Sequence, residues 1–92
     1  MTKPLDFTQI DLIRKRMLLT VNDIAFLFGV TRPTYYGWLK GTPIRKSNDE
    51  VVRVMLRKLL SVVSTHKWPT QEALAADQKR RREILITLLN QQ

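Results

Sequence analysis

Ninety-two residues with four prolines and no cysteine suffice for one folding unit of about three to five helices, and they exclude a modular enzyme of several domains. Hydrophobic residues make up 43% and charged residues 26%, a globular mixture rather than a disordered one. Sixteen Lys and Arg against eight Asp and Glu leave a formal charge of +8, which favours polyanionic partners, nucleic acid first and an anionic membrane surface second.

The longest near-apolar stretch, Val51 to Val63, is interrupted by Arg53, Arg57 and Lys58, so no window approaches the roughly 20 apolar residues of a membrane span. No signal-peptide core precedes Asp6 and Asp11, and no cysteine framework points to an oxidising compartment. A soluble, cytoplasmic chain is the expectation, with no linker or internal repeat to divide it.

Helix punctuation at Gly29, at Gly41-Thr42-Pro43 and at Pro69 leaves five apolar-periodic segments in an all-α bundle. In the first, Thr8 to Leu18, Ile10, Ile13 and Met17 share one helical face, with Arg14, Lys15 and Arg16 elsewhere on the surface. The second starts at Thr20, a capping hydroxyl with Asp23 in the first turn, and buries Ile24, Ala25 and Leu27 or Phe28 before Gly29 ends it. Thr31 caps the third, which tolerates Pro33 because it falls in the first turn, and which ends near Lys40. The fourth opens with Ser47-Asn48-Asp49-Glu50, read as a capping box, and turns Val51, Val54, Met55, Leu59 and Val62 or Val63 inward. A fifth helix is expected from about Thr70 to Leu89. Alternation of period two never persists, so no strand is predicted.

Segments two and three fit a helix-turn-helix unit at about residues 20–40. Ala25 is small where two helices must approach, Gly29 can take the positive φ of the turn, and Val30, Tyr35 and Trp38 supply apolar contacts. The run Leu19-Thr20, Ile24-Ala25, Gly29-Val30-Thr31-Arg32, Tyr35, Trp38 and Gly41 resembles the helix-turn-helix of the Cro and phage-repressor (xenobiotic-response-element) family, with Ile13-Arg14 fitting that family's first helix. The resemblance covers roughly residues 8–63. It implies a lambda-repressor-like domain, here with an extra C-terminal helix, whose second motif helix enters the DNA major groove.

By position, the resemblance makes Arg32, Pro33 and Tyr36 the base-reading residues, with Thr31, Gly37 and Lys40 also facing DNA. Arg32 can donate two hydrogen bonds to guanine O6 and N7, Tyr36 can touch a thymine methyl or a phosphate, and Pro33 offers apolar contact alone. Val21 stands where the family often has glutamine, which leaves the phosphate contact to Asn22. Gly37 lowers helix stability by about 1 kcal/mol relative to alanine, and either permits close backbone approach to DNA or accommodates its neighbours. The charge follows this segment: residues 32–60 carry +5, against +1 before and +2 after. Lys40, Arg45 and Lys46 are placed to run along phosphates and set the salt dependence of binding.

Trp38 shares a helical register with Tyr35 and Ile24 and is read as core, not as a base-stacking platform. Lys79-Arg80-Arg81-Arg82 is either a second nucleic-acid arm or a solvated helix face. Ile84, Leu85, Leu88 and Leu89 either pack back on Val51, Met55 and Leu59 or cover a second copy. Dimerisation is preferred, because one unit reads only a half-site and pairing aligns two recognition helices on an inverted repeat. His66 is the sole histidine, so neither a metal nor a cofactor is expected, and no nucleophile comes with a base.

These readings predict a non-enzymatic transcriptional regulator of double-stranded DNA, a homodimeric repressor or autoregulator of phage or mobile-element type. Two alternatives involve a protein partner: an adaptor or inhibitor built on the same fold, and an antitoxin that adds partner neutralisation to DNA autoregulation.

Overall fold

Asp6 starts the first helix, its carboxylate accepting hydrogen bonds from the amides of Thr8 and Gln9 at 3.0 and 3.3 Å. The computed structural model describes residues 3–91, and all regular structure among them is helical. The helices are α1 (Phe7–Arg16), α2 (Val21–Phe28), α3 (Arg32–Leu39), α4 (Lys46–His66), α5 (Gln71–Ala75) and α6 (Gln78–Leu89). None is long and apolar enough to cross a membrane.

The core is one cluster drawn from every helix: Ile10 of α1, Ile24, Ala25 and Phe28 of α2, Tyr35 and Trp38 of α3, Val52, Leu59 and Val62 of α4, Ala73 of α5, and Ile84, Leu85 and Leu89 of α6, joined by Met17, Leu19 and Trp68 between helices. Burying a large apolar side chain stabilises the fold by about 1.5–3 kcal/mol, so the cluster, and not intrinsic helix propensity, holds elements as short as α2, α3 and α5.

Three sequence expectations need correction. The fifth segment is two helices, because Ala76 adopts an extended conformation between α5 and α6. Both new ends are satisfied by side chains: the Asp77 carboxylate accepts from the Arg80 amide at 2.8 Å, and the Arg81 guanidinium donates to the carbonyls of Ala73 and Ala76 at 2.9 and 3.1 Å. The break therefore leaves few orphan backbone groups.

Secondly, Ser47 and Glu50 form no capping box. The Asp49 amide already donates to the Arg45 carbonyl, which makes Arg45 the N-cap, without a side-chain cap bond, and puts Ser47 inside the first turn. The Asp49 carboxylate instead holds Arg53 at 2.6 Å, and Arg53 reaches the Lys3 carbonyl at 2.7 Å. On α4, Leu59 and Val62 are buried and Met55 packs against the core as expected, but Val52 is buried in place of Val51 and Val54, which are exposed.

Thirdly, Ile84, Leu85 and Leu89 are buried within the chain and Leu88 packs against the same core, so these four residues do not present a pairing face to a second copy. Their apolar surface is consumed where α6 meets α4 and α5.

Candidate nucleic-acid interface

Two helix caps, one of them reciprocal, and one glycine shape the unit formed by α2 and α3. Thr20 accepts from the Asp23 amide at 3.1 Å while the Asp23 carboxylate accepts from the Thr20 amide at 2.9 Å, so α2 begins with both partners of a capping box in place. Gly29 ends α2 at φ +73°, a left-handed conformation open to glycine at little steric cost. The Val30 amide then returns to the Ala25 carbonyl at 2.9 Å. Thr31 caps α3, its hydroxyl accepting from the Thr34 amide at 3.4 Å and bonding the Thr34 hydroxyl at 3.0 Å. Pro33 lies in the first turn, as expected.

One face of α3 is anchored. Tyr35 and Trp38 are buried, with ring centroids 6.5 Å apart, and Phe7 of α1 lies 5.1 Å from the Trp38 ring. The Tyr35 hydroxyl donates to Asp11 at 3.0 Å; Asp11 also accepts from Arg14 at 2.6 Å, and Arg14 donates to the Leu19 carbonyl at 2.9 Å. Arg14 is thus a structural arginine, not part of a surface cluster. The hydrogen bond from Arg14 holds the Asp11 carboxyl below the ordinary aspartate range, and the same bond raises the Arg14 guanidinium. Burial, reinforced by the bond to Asp11, pushes the Tyr35 phenol well above its usual value.

The opposite face of α3 is presented to solvent. Arg32, Pro33 and Tyr36 are exposed, and Gly37 and Lys40 follow at helical spacing, with Gly37 half-buried and Lys40 exposed at the C-terminal cap. Thr31 and Asn22 are exposed beside them, and Arg45 and Lys46 are exposed where α4 begins. Of the residues singled out from the sequence, Asn22, Thr31, Arg32, Pro33, Gly37 and Arg45 border two concavities that meet at Pro33, whereas Tyr36, Lys40 and Lys46 are exposed but line neither. Thr31 caps α3 as expected, so its hydroxyl is already engaged there.

The exposed ridge of α3 is flanked by two concavities. Pro33, Thr34 and Gly37 form one with Arg45 and Asn48. Asn22, Thr31, Arg32 and Pro33 form the other with Phe26 and Arg82. Thr34, Asn48, Phe26 and Arg82 are absent from the sequence-derived set. Thr34 is visible in hindsight, because it directly follows Pro33 on the first turn; Arg82 belongs to a distant helix, where the sequence marks it only as one of the basic run Lys79 to Arg82.

The basic run Lys79 to Arg82 is divided among several tasks. Arg80 pairs with Glu72 and Glu83 at 3.2 and 3.5 Å on the surface, and Arg81 closes the end of α5. Lys79 is exposed, while Arg82 lies 4.8 Å over the Phe26 ring and 3.7 Å from the buried Asp23 carboxylate. Comparisons of the chain with protein-family models, with curated proteins and with solved structures found no match.

Proposed function

We propose that this chain is a sequence-specific regulator of double-stranded DNA that lays the exposed face of α3 in the major groove. The observation that carries the reading is the division of α3 into two faces. Tyr35 and Trp38 fix the helix to the body, while Arg32, Pro33 and Tyr36 form an exposed edge with the half-buried Gly37 beside it. A rigidly held helix with an exposed arginine near its N-terminus meets the geometric demand of base readout, and the excess of basic residues from Arg32 onward supplies attraction to phosphate.

The reading is of a soluble intracellular binding protein, not an enzyme, acting on an inverted repeat as a homodimer whose pairing surface lies outside the buried apolar end of α6. Selection of bound duplexes from a random pool tests it. The expected product is a discrete motif with two-fold symmetry, and Arg32→Ala is expected to lose roughly 1–3 kcal/mol of preference at one position of that motif. Equal affinity for every duplex, or an Arg32→Ala variant with unchanged base preference, would overturn the proposal.

A further inference from the structure

We infer that Arg82, on the C-terminal helix outside the helix-turn-helix unit, is a DNA-backbone anchor on the side of α3 opposite Arg45. The inference rests on the reading of α3 as a major-groove helix and adds a residue that the unit itself lacks. A helix lying in the major groove, about 12 Å wide, has a phosphate ridge on either side. The exposed edge of α3 is bordered in the same way by two concavities, with Pro33 on the rim of both. Arg45 lines one, and Arg82 lines the other beside Asn22 and Arg32.

The surroundings of Arg82 position it without consuming its donors. Its guanidinium rests on the Phe26 ring at 4.8 Å, which restricts the side chain through stacking and cation-π attraction. Asp23 is its ion-pair partner, but Oδ1 of Asp23 lies 3.7 Å from the guanidinium, beyond hydrogen-bond distance, while the Thr20 amide and the Gln78 side-chain amide both donate to the other oxygen, Oδ2. Among the described residues the Arg82 side chain makes no hydrogen bond, and it is 34% exposed. A planar fork of N–H groups, held against an aromatic ring at the edge of a groove, matches the bidentate geometry of a phosphodiester. Lys79, one turn earlier on α6, adds an exposed positive charge.

Binding of the purified full chain to its selected duplex and to a scrambled duplex, measured over a range of salt concentrations, tests the assignment. Arg82→Gln is expected to weaken binding to both duplexes by roughly fivefold to tenfold near 0.1 M salt and to reduce the log–log salt slope by about 0.9, the signature of one lost phosphate contact. Arg82→Lys keeps the charge and is expected to restore most of the slope. Unchanged affinity and slope in Arg82→Gln overturns the inference while leaving the proposed function intact. A loss that Arg82→Lys does not rescue, accompanied by a lowered melting temperature, also overturns it, because packing against Phe26 and Asp23 would then be the whole role. A wild-type chain that binds neither duplex at low salt removes the proposed function, and this anchor with it.

Discussion

Tyr35, at the centre of α3, donates its phenolic hydrogen to Asp11 of α1 across 3.0 Å. The bond joins the buried face of α3 to a helix that ends before α2 begins, so the angle at which α3 projects depends on α1. Tyr35→Phe keeps the ring that packs among Phe7, Phe28 and Trp38 but removes the donor. A hydrogen bond to a charged group contributes about 1.5–3 kcal/mol, and the pair Asp11–Arg14 survives the change, so a loss of about 1–2 kcal/mol is expected in urea unfolding. A variant as stable as the wild type would mean that the bond contributes nothing net.

Asp11 also sets an acid limit. Its folded pKa lies below the ordinary aspartate value, chiefly through the Arg14 hydrogen bond. A depressed folded pKa means that the unfolded chain takes up the proton first on acidification. The stabilisation is fully present above the unfolded value of about 3.9 and is lost as pH falls through the lower folded pKa. Stability measured from pH 6 downward should therefore drop below about pH 4, and Asp11→Asn, though less stable at neutral pH, should show a shallower acid limb. Acid limbs of equal steepness would show that other carboxylates control the transition.

The α1–α2 corner depends on the C-terminal third of the chain. Trp68 donates its indole N–H to the Met17 carbonyl at 2.9 Å, and Gln78 donates to the Leu18 carbonyl at 3.2 Å. Leu18 stands at φ +60°, a conformation that side-chain-bearing residues adopt with strain, and these long-range donors hold it there. Trp68→Phe leaves the Met17 carbonyl without its partner and opens space in the core cluster. A destabilisation of about 2–4 kcal/mol is expected in denaturant unfolding, combining an unsatisfied polar group with lost packing. A loss below about 0.5 kcal/mol would show that water or a neighbouring donor replaces the indole at little penalty.

What the sequence made legible follows from the range of the interactions involved. The ends of α2 and α3 are written in local chemistry: Thr20 with Asp23, Gly29 in the left-handed region, Thr31 before Pro33. Tyr35 and Trp38 face inward because three residues return to the same helical face. The phase of α4 was ambiguous because Val51, Val52 and Val54 offer two nearly equivalent apolar stripes, and only packing against the other helices selects Val52. The break at Ala76 carries neither glycine nor proline; it depends on Asp77 together with Arg81, whose capping role emerges only in three dimensions. Arg82 reaches the rim of the α3 surface from more than forty residues away, and no periodicity reports such a contact.

Gly37 separates the needs of the fold from those of the proposed interface. It lies inside α3 without a positive φ, and an added Cβ would meet only the flexible Thr42 side chain, at 3.4 and 3.6 Å, which is ordinary contact. Nothing in the packing therefore demands glycine, and alanine is favoured in a helix by about 0.8–1.0 kcal/mol. Gly37→Ala should raise stability by up to about 1 kcal/mol while adding a methyl group to the proposed DNA-facing edge. If that edge approaches base pairs as closely as proposed, affinity for the selected duplex should fall about tenfold, equivalent to roughly 1.4 kcal/mol, with little change on scrambled DNA. Paired melting and binding measurements decide between the two roles: a stabilised variant that binds as tightly as the wild type would show that no backbone–DNA approach requires the glycine.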